Sequence, residues 1–287
     1  MTFDPGGRTA VVTGAASGIG RALAARCADE GMSVAVADVD EAGLAETAKR
    51  VAERLGDDAR VIAVPTDVSK PEAVEALADA TRDAFGKIHL VFNNAGVLVS
   101  GCAWERSVED WEWVLGVNVF GCIHGARTFL PILIEQGEPG WMVNTASIGG
   151  VLTGPFLAPY LVSKHAVVAL SEVIHHELAA KQVDVGISCL CPGAVATGIF
   201  RSERIRPDDK GEAAPLGSEP EKAFFEGMAA GIDAGMEPEE LARHAFEGVR
   251  EGRFWIFPDS MYREGFEARA QSILSGVNPL QSPITSD

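Results

Sequence analysis

Tyr160 and Lys164 stand four residues apart in the run Tyr160-Leu161-Val162-Ser163-Lys164. On a helix that spacing puts a phenol and an ammonium on one face, a single turn apart. A free tyrosine, with a pKa of about 10, is a poor proton acceptor at neutral pH, and bringing it to about 7 requires roughly 4 kcal/mol of preferential stabilisation of the phenolate. One ammonium at about 4 Å, in an effective dielectric near 20, supplies on the order of 4 kcal/mol. The pair can therefore form an acid/base catalyst, although Y-x-x-x-K alone recurs by chance in many helices. The chain has only 2 tyrosines, and Tyr262 lacks a lysine four residues on, so Tyr160 is the sole candidate.

A second constellation lies near the start. Thr13-Gly14-Ala15-Ala16-Ser17-Gly18-Ile19-Gly20 follows an apolar strand and opens a helix. Glycines there permit a tight turn and close backbone approach, while free N–H groups at the helix start face a pyrophosphate. A turn that merely needs positive φ is the plainer alternative; the strand before and the helix after favour the phosphate site. Asp38 ends the second strand, where its carboxylate can accept from a ribose diol and repel a 2′-phosphate. Ser17 and Val39, where basic compensators would stand, are neutral. These residues predict NAD rather than NADP. A helix-capping role for Asp38 is compatible with part of the same assignment.

The elements that must position these groups alternate along the chain. Strands are predicted at Arg8–Thr13, Ser33–Asp38, Arg60–Thr66, His89–Asn93, Trp141–Ser147, Asp184–Cys191 and Phe254–Phe257. Helices are predicted near Gly20–Glu30, Glu41–Leu55, Pro71–Phe85, Val108–Gln136, Tyr160–Gln182 and Pro238–Glu251. Nearly all-apolar strands alternating with helices imply a parallel sheet covered on both faces, an α/β, three-layer, doubly wound fold of about seven strands in one domain spanning residues 1–287. Residues 198–235, rich in charge, Gly and Pro, interrupt the rhythm and predict a substrate lid or a disordered loop. A helical tail is expected at about 258–287.

In this order the motifs resemble those of the short-chain dehydrogenase/reductase family over roughly residues 7–257. Besides the glycine loop and Asp38, they comprise Asp67-Val68, Asn93-Asn94-Ala95-Gly96, Asn118, Ser147 with Tyr160/Lys164, and Pro192-Gly193-Ala194-Val195-Ala196-Thr197. The resemblance implies a Rossmann fold and an NAD-dependent oxidoreductase acting on CH–OH groups. It places Gly14, Ser17, Gly18, Ile19, Gly20 and Asp38 at the cofactor, Asp67 and Val68 by the adenine, and Asn94 and Gly96 by a ribose. Lys164 would bind the nicotinamide ribose, with Tyr160 also at the cofactor, and Pro192, Gly193, Val195 and Thr197 would hold the carboxamide end. Tyr160 would be the acid/base, Ser147 the donor orienting the substrate oxygen, and Asn118 the anchor of a proton-relay water. Thr145 and Ser163 read as ordinary hydroxyls.

Composition narrows the partners. A formal charge of −17 argues against nucleic acid or an anionic membrane. No apolar run is expected to reach the roughly 20 residues of a membrane span, the start has no signal-peptide pattern, and a cytoplasmic setting follows. The 5 cysteines and 6 histidines form no metal-ligand spacing, and Cys189 and Cys191 read as small buried residues. Apolar segments Val97–Val99, Val151–Leu157 and Ile199–Phe200 predict a hydrophobic secondary alcohol or ketone, with Arg201, Arg204 and Arg206 available to a remote anion; core packing explains the same segments. Val114, Val117, Phe120, Val167, Val168 and Leu170 fit either a dimer or tetramer interface or the core. A catalytically silent NAD(H) sensor would not need the Ser147/Tyr160/Lys164 set. Nucleotide-sugar epimerases or dehydratases would bring a different glycine loop and a large C-terminal domain, and an enoyl reductase a wider Tyr–Lys spacing.

Overall fold

Valine- and alanine-rich segments that bury both faces need neighbours on both sides, and here they pair into one parallel sheet. The computed structural model describes residues 3–260 and 262–279. Its strands are β1 (Thr9–Thr13), β2 (Ser33–Asp38), β3 (Val61–Pro65), β4 (Leu90–Asn93), β5 (Gly140–Thr145), β6 (Val185–Leu190) and β7 (Trp255–Ile256), in the order β3-β2-β1-β4-β5-β6-β7. The helices are α1 (Gly18–Asp29), α2 (Glu41–Leu55), α3 (Pro71–Phe85), α4 (Val108–Leu115), α5 (Gly121–Glu135), α6 (Ala158–Lys181), α7 (Glu219–Asp233), α8 (Pro238–Arg250) and α9 (Tyr262–Ser275).

Period-two alternation divides the core. Ala10 and Val12 of β1 join Leu23, Leu44 and Phe246 of α1, α2 and α8 on one face. Val11 joins Leu77, Phe129 and Ile174 of α3, α5 and α6 on the other. This is the three-layer, doubly wound Rossmann arrangement expected from the sequence. Strand order reverses between β1 and β4, whose register runs Ala10↔Leu90 to Val12↔Phe92. Beyond that point the chains part and leave a crevice at the carboxyl edge, the usual ligand position in such sheets.

Several local expectations are corrected. α1 begins at Gly18 because Ser17 takes the N-cap position. The long predicted helix at Val108–Gln136 is α4 and α5 joined through a π-helical turn, Gly116–Phe120, which carries the buried Asn118. By length and composition Val108–Glu135 would suffice to cross a membrane, contrary to the sequence expectation. It instead buries Trp113, Val114, Phe129 and Leu133 in the fold. β5 stops at Thr145, so Ser147 lies past the strand end and caps a short 3-10 turn, Ile148–Gly150.

Residues 198–235 are not a plain loop. They contain 3-10 turns at Ile199–Ile205 and Asp208–Lys210 and the helix α7. α9 supplies part of the expected tail, whereas Met261 and residues 280–287 fall outside the described residues. Of the apolar residues weighed for an interface, Val114, Val167 and Val168 are buried in the chain's own core, and Phe120 is 51% exposed. The exposed apolar residues on the same helices are Val108, Val162 and Val173.

Candidate active site

The glycine loop turns sharply between β1 and α1. Gly14 has φ +66°, and a Cβ there would lie 2.7 Å from Cα of Ala95. At Gly20 a Cβ would lie 2.0 Å from the Gly14 carbonyl oxygen, so helix and turn touch through backbone alone. Gly18 packs on Thr197, whose Cγ2 would stand 3.0 Å from a Cβ. The Ser17 side chain makes no cap hydrogen bond, and the first turn of α1 holds no acidic residue. Its N–H groups therefore remain available to an anion. Gly20→Ala forces loop and helix apart. We expect a loss of about 1–3 kcal/mol in stability, with dinucleotide affinity roughly 10–100-fold weaker, read by denaturant titration and calorimetry. Gly227→Ala, where nothing lies within 4 Å of the new Cβ, is the control and should be neutral or slightly stabilising.

Asp38 ends β2 with its Oδ2 accepting from the Ala16 N–H (2.9 Å) and Oδ1 from the Asp40 N–H (3.0 Å). The cap of α2 is Asp40, which accepts from Gly43, so Asp38 is not the helix cap. Asp38, Asp40 and Glu41 together make this end of the cavity acidic. Asp67 Oδ1 accepts from Ser69 N–H (2.9 Å), and the Val68 carbonyl lies 2.9 Å from Nδ1 of His124. At the switch point the Asn94 side chain donates to the Thr13 carbonyl (3.0 Å), and the Asn94 N–H donates to Thr13 Oγ1 (2.9 Å).

One continuous cavity of about 780 Å³ joins these residues, within the roughly 300–1,000 Å³ usual for cofactor and ligand sites. Every expected site residue except Asn118 lies on its wall, Ser147, Tyr160, Lys164, Pro192, Gly193 and Val195 among them. The shape, the glycine cradle and the uncapped helix start fit a dinucleotide.

Tyr160 and Lys164 share one face of α6, with the Lys164 Nζ 5.6 Å from the tyrosine ring centroid. The buried Lys164 Nζ donates to the Thr145 carbonyl (2.9 Å). A Cβ at Gly96 would lie 3.5 Å both from this Nζ and from Oδ1 of Asn118, so Gly96 leaves the two close together. Ser147 Oγ accepts from the Gly149 N–H (3.0 Å) and donates to the Pro192 carbonyl (3.4 Å). Asn118 sits behind the wall: Oδ1 accepts from the Val97 N–H (2.8 Å), and Nδ2 donates to the Val97 carbonyl (3.0 Å) and to Ser163 Oγ (2.9 Å). Ser163 in turn donates to the Tyr160 carbonyl (2.6 Å). The Ser163 hydroxyl and the Thr145 backbone carbonyl thus take part in the bonding that holds the pair, while the Thr145 hydroxyl turns to Asn94 Oδ1 (3.3 Å). Just before α6, Phe156 adopts a φ of +60°, rare for a bulky side chain. Its carbonyl is fixed by the Gly101 N–H (2.7 Å) and the Ser100 hydroxyl (2.9 Å).

The segment 198–235 closes over this group. Leu98, Leu157 and Leu161 pack with Tyr160, Ile199, Phe200, Phe224 and Met228. Val97 and Val99 instead join Trp113, Val114 and Ile205, so only part of the predicted apolar wall faces Tyr160. Glu221 fastens α7: its carboxylate accepts from the backbone N–H of Cys102 (2.8 Å) and Ser218 (2.8 Å). The Cys102 N–H is the chief reason its carboxyl titrates near 2, with burial opposing. Arg106 donates to the carbonyls of Ala214 and Pro215. Arg206 pairs with Asp110 (2.8 Å), both buried, and lies over the Trp113 ring. Sequence patterning does not single out Phe224, Met228 or Trp113, whereas Arg204, expected as a cation for a remote anion, lies on the cavity wall. The run Ser218-Glu219-Pro220-Glu221 is a readable capping box for α7.

All five cysteines are free thiols. Cys189 and Cys191 lie with sulfurs 3.7 Å apart, and that contact, then burial, holds the Cys191 thiol well above its ordinary value; burial pushes Cys122 up to about 11. Among the described residues, Cys102, Glu105 and Glu221 approach as a cation trio would, yet the Glu221 carboxylate is already occupied by backbone donors.

The short chain dehydrogenase family model matches residues 8–208. The chain is 39% identical over 255 residues to the 1-deoxy-11-beta-hydroxypentalenate dehydrogenase of Streptomyces exfoliatus, covering 88% of this chain and 83% of that protein. It is 33% identical over 256 residues to the 3beta-hydroxysteroid dehydrogenase 1 of Eggerthella lenta, covering 82% and 96%. A short chain dehydrogenase/reductase from Burkholderia phymatum, solved in complex with NAD, superposes with a TM-score of 0.92 at 42% identity over 97% of this chain and 98% of its own. Fold, cavity and these likenesses agree: the chain belongs to the short-chain dehydrogenase/reductase family of oxidoreductases.

Proposed function

We propose that the protein is an NAD-dependent dehydrogenase of hydrophobic secondary alcohols, running in reverse as a ketone reductase, with Tyr160 as its acid/base. The observation that carries this reading is that Ser147, Tyr160 and Lys164 line the same cavity as the glycine loop. Bound NAD would supply the hydride acceptor for the carbinol C–H. Gly14, Gly18 and Gly20 would hold its diphosphate, Asp38 its adenosine ribose, and Asp67 and Val68 its adenine. Asn94, Gly96 and Lys164 would line its second ribose, and Pro192, Gly193, Val195 and Thr197 its carboxamide end. Tyr160 takes the hydroxyl proton as the C–H bond breaks, because a carbonyl forms only if both leave. Ser147 donates to the substrate oxygen as its charge grows. Lys164, tied to Thr145, and Asn118, tied through Ser163 to the start of α6, keep these groups in register.

Leu98, Leu157, Phe200, Phe224 and Met228 beside Tyr160 support an apolar substrate. The names of the hydroxypentalenate and hydroxysteroid relatives are consistent with it. We take residues 198–235 as the lid, the whole chain as one domain, and the cytoplasm as its setting. Assembly as a dimer or tetramer through the α4–α6 surface fits the exposed Phe120, Val162 and Val173.

The test is a panel of cyclic, steroid-like and aryl secondary alcohols with NAD or NADP, following NADH or NADPH absorbance. Turnover is expected with NAD, at a kcat/KM well above that with NADP, because Asp38, Asp40 and Glu41 repel a 2′-phosphate. A preference for NADP removes the cofactor assignment. Tight NAD binding without turnover of any alcohol would make the protein a sensor.

A further inference from the structure

Three arginines stand in the first part of the lid segment, and two are engaged within the chain: Arg201 faces Asp233 (3.5 Å) and Arg206 is held by Asp110 (2.8 Å). Arg204 differs. Among the described residues no carboxylate pairs with it. Its Nη2 donates to Ser17 Oγ (3.3 Å) and its Nη1 to the Arg201 carbonyl (3.2 Å). The side chain thus reaches across 187 positions of sequence to the glycine loop and lies on the cavity wall.

What it meets there is already electropositive. Ser17 is the N-cap of α1, makes no cap bond with its side chain, and is followed by no acidic residue in the first turn. A helix start of this kind carries partial positive charge. Asp38, the nearby acid, is held back by its bonds to the N–H groups of Ala16 and Asp40. An exposed guanidinium bonded to the N-cap hydroxyl therefore stands beside an uncapped helix start, and among the described residues no carboxylate pairs with it. Two positive groups converge like this usefully only around a negative ligand. A guanidinium suits a diphosphate, whose neighbouring oxygens match its planar fork of donors.

Resting on the reading of this cavity as a dinucleotide site, we propose that Arg204 is a cofactor-binding residue of the lid, contacting the diphosphate of NAD and drawing residues 198–206 over the loaded site. Arg204 gains its anionic partner only when the dinucleotide is in place. Leu98 N–H, bonded to Ser202 Oγ (3.2 Å), passes the same closure to the apolar wall beside Tyr160.

The experiment compares the unsubstituted protein with Arg204→Gln and Arg204→Lys by calorimetry, using NAD, NADP, ADP-ribose and adenosine. Hydrogen exchange of the full chain with and without ADP-ribose follows residues 198–211. Arg204→Gln should weaken NAD, NADP and ADP-ribose by the same factor, roughly 10-fold for one charge-assisted contact, and leave adenosine unaffected. Arg204→Lys should recover part of the loss. ADP-ribose should protect the segment in the unsubstituted protein and protect it less in Arg204→Gln. Unchanged ADP-ribose affinity in Arg204→Gln overturns the proposal, and so does a loss confined to NADP, which would assign the cation to a 2′-phosphate. Failure of the unsubstituted protein to bind any dinucleotide would instead remove the functional reading beneath it.

Discussion

Tyr160→Phe is expected to lower kcat with the best alcohol of the panel by on the order of 10²–10⁴-fold, the contribution of a well-placed proton-transfer group. The substitution keeps the ring, and with it the packing against Leu98, Leu157, Leu161 and Ile199. The substitution leaves the glycine loop and Asp38 untouched, so NAD binding should persist. Steady-state rates and calorimetry on the same preparation separate the two effects. Turnover retained by the phenylalanine variant would remove Tyr160 from the proton path. There would then be no replacement, because Tyr262, the other tyrosine of the chain, lies in α9 and stacks on Phe257 (3.8 Å between centroids).

The second large effect concerns stability. Arg206 and Asp110 have side chains only 4% and 0% exposed, and they meet at 2.8 Å. Arg206→Met leaves the Asp110 carboxylate buried without its cation, a situation that costs about 3–5 kcal/mol. The denaturant midpoint should fall accordingly, and KM for the alcohol should rise, because the same arginine fastens residues 203–211 to α4. Arg206→Met combined with Asp110→Asn removes the stranded charge and should recover part of the loss. If the double variant is no more stable than the single one, the stranded carboxylate is not the cause. Asp110 also completes a capping box with Ser107 at the start of α4, which the asparagine keeps only in part.

The architecture was readable because its signals are local. Strands such as Thr9–Thr13 and Ser33–Asp38 are mostly valine and alanine, and amphipathic helices such as α2, α3 and α8 stand between strands, so the layers follow from pattern alone. The spacing of Tyr160 and Lys164 gave their common face for the same reason. What escaped depends on contacts between distant residues. Nothing near Arg204 announces Ser17, and nothing near Ser163 announces Asn118, 45 residues away. Gly, Pro and charge dominate segment 198–235 and by themselves predict a loop or lid; α7 is there because Ser218 and Glu221 cap it and Phe224 finds Phe156 (5.5 Å between ring centroids). The π-helical turn at Asn118 follows no propensity rule; it is fixed by side-chain bonds to Val97 and Ser163.

The fastenings of α7 and its flanking turns fall on Ser17, Leu98, Cys102, Arg106 and Asp110, and none falls within a strand. That separation makes the segment an exchangeable cassette. Under the proposed function, grafting or mutating it would change which alcohol is accepted and leave the Ser147, Tyr160 and Lys164 group as it is.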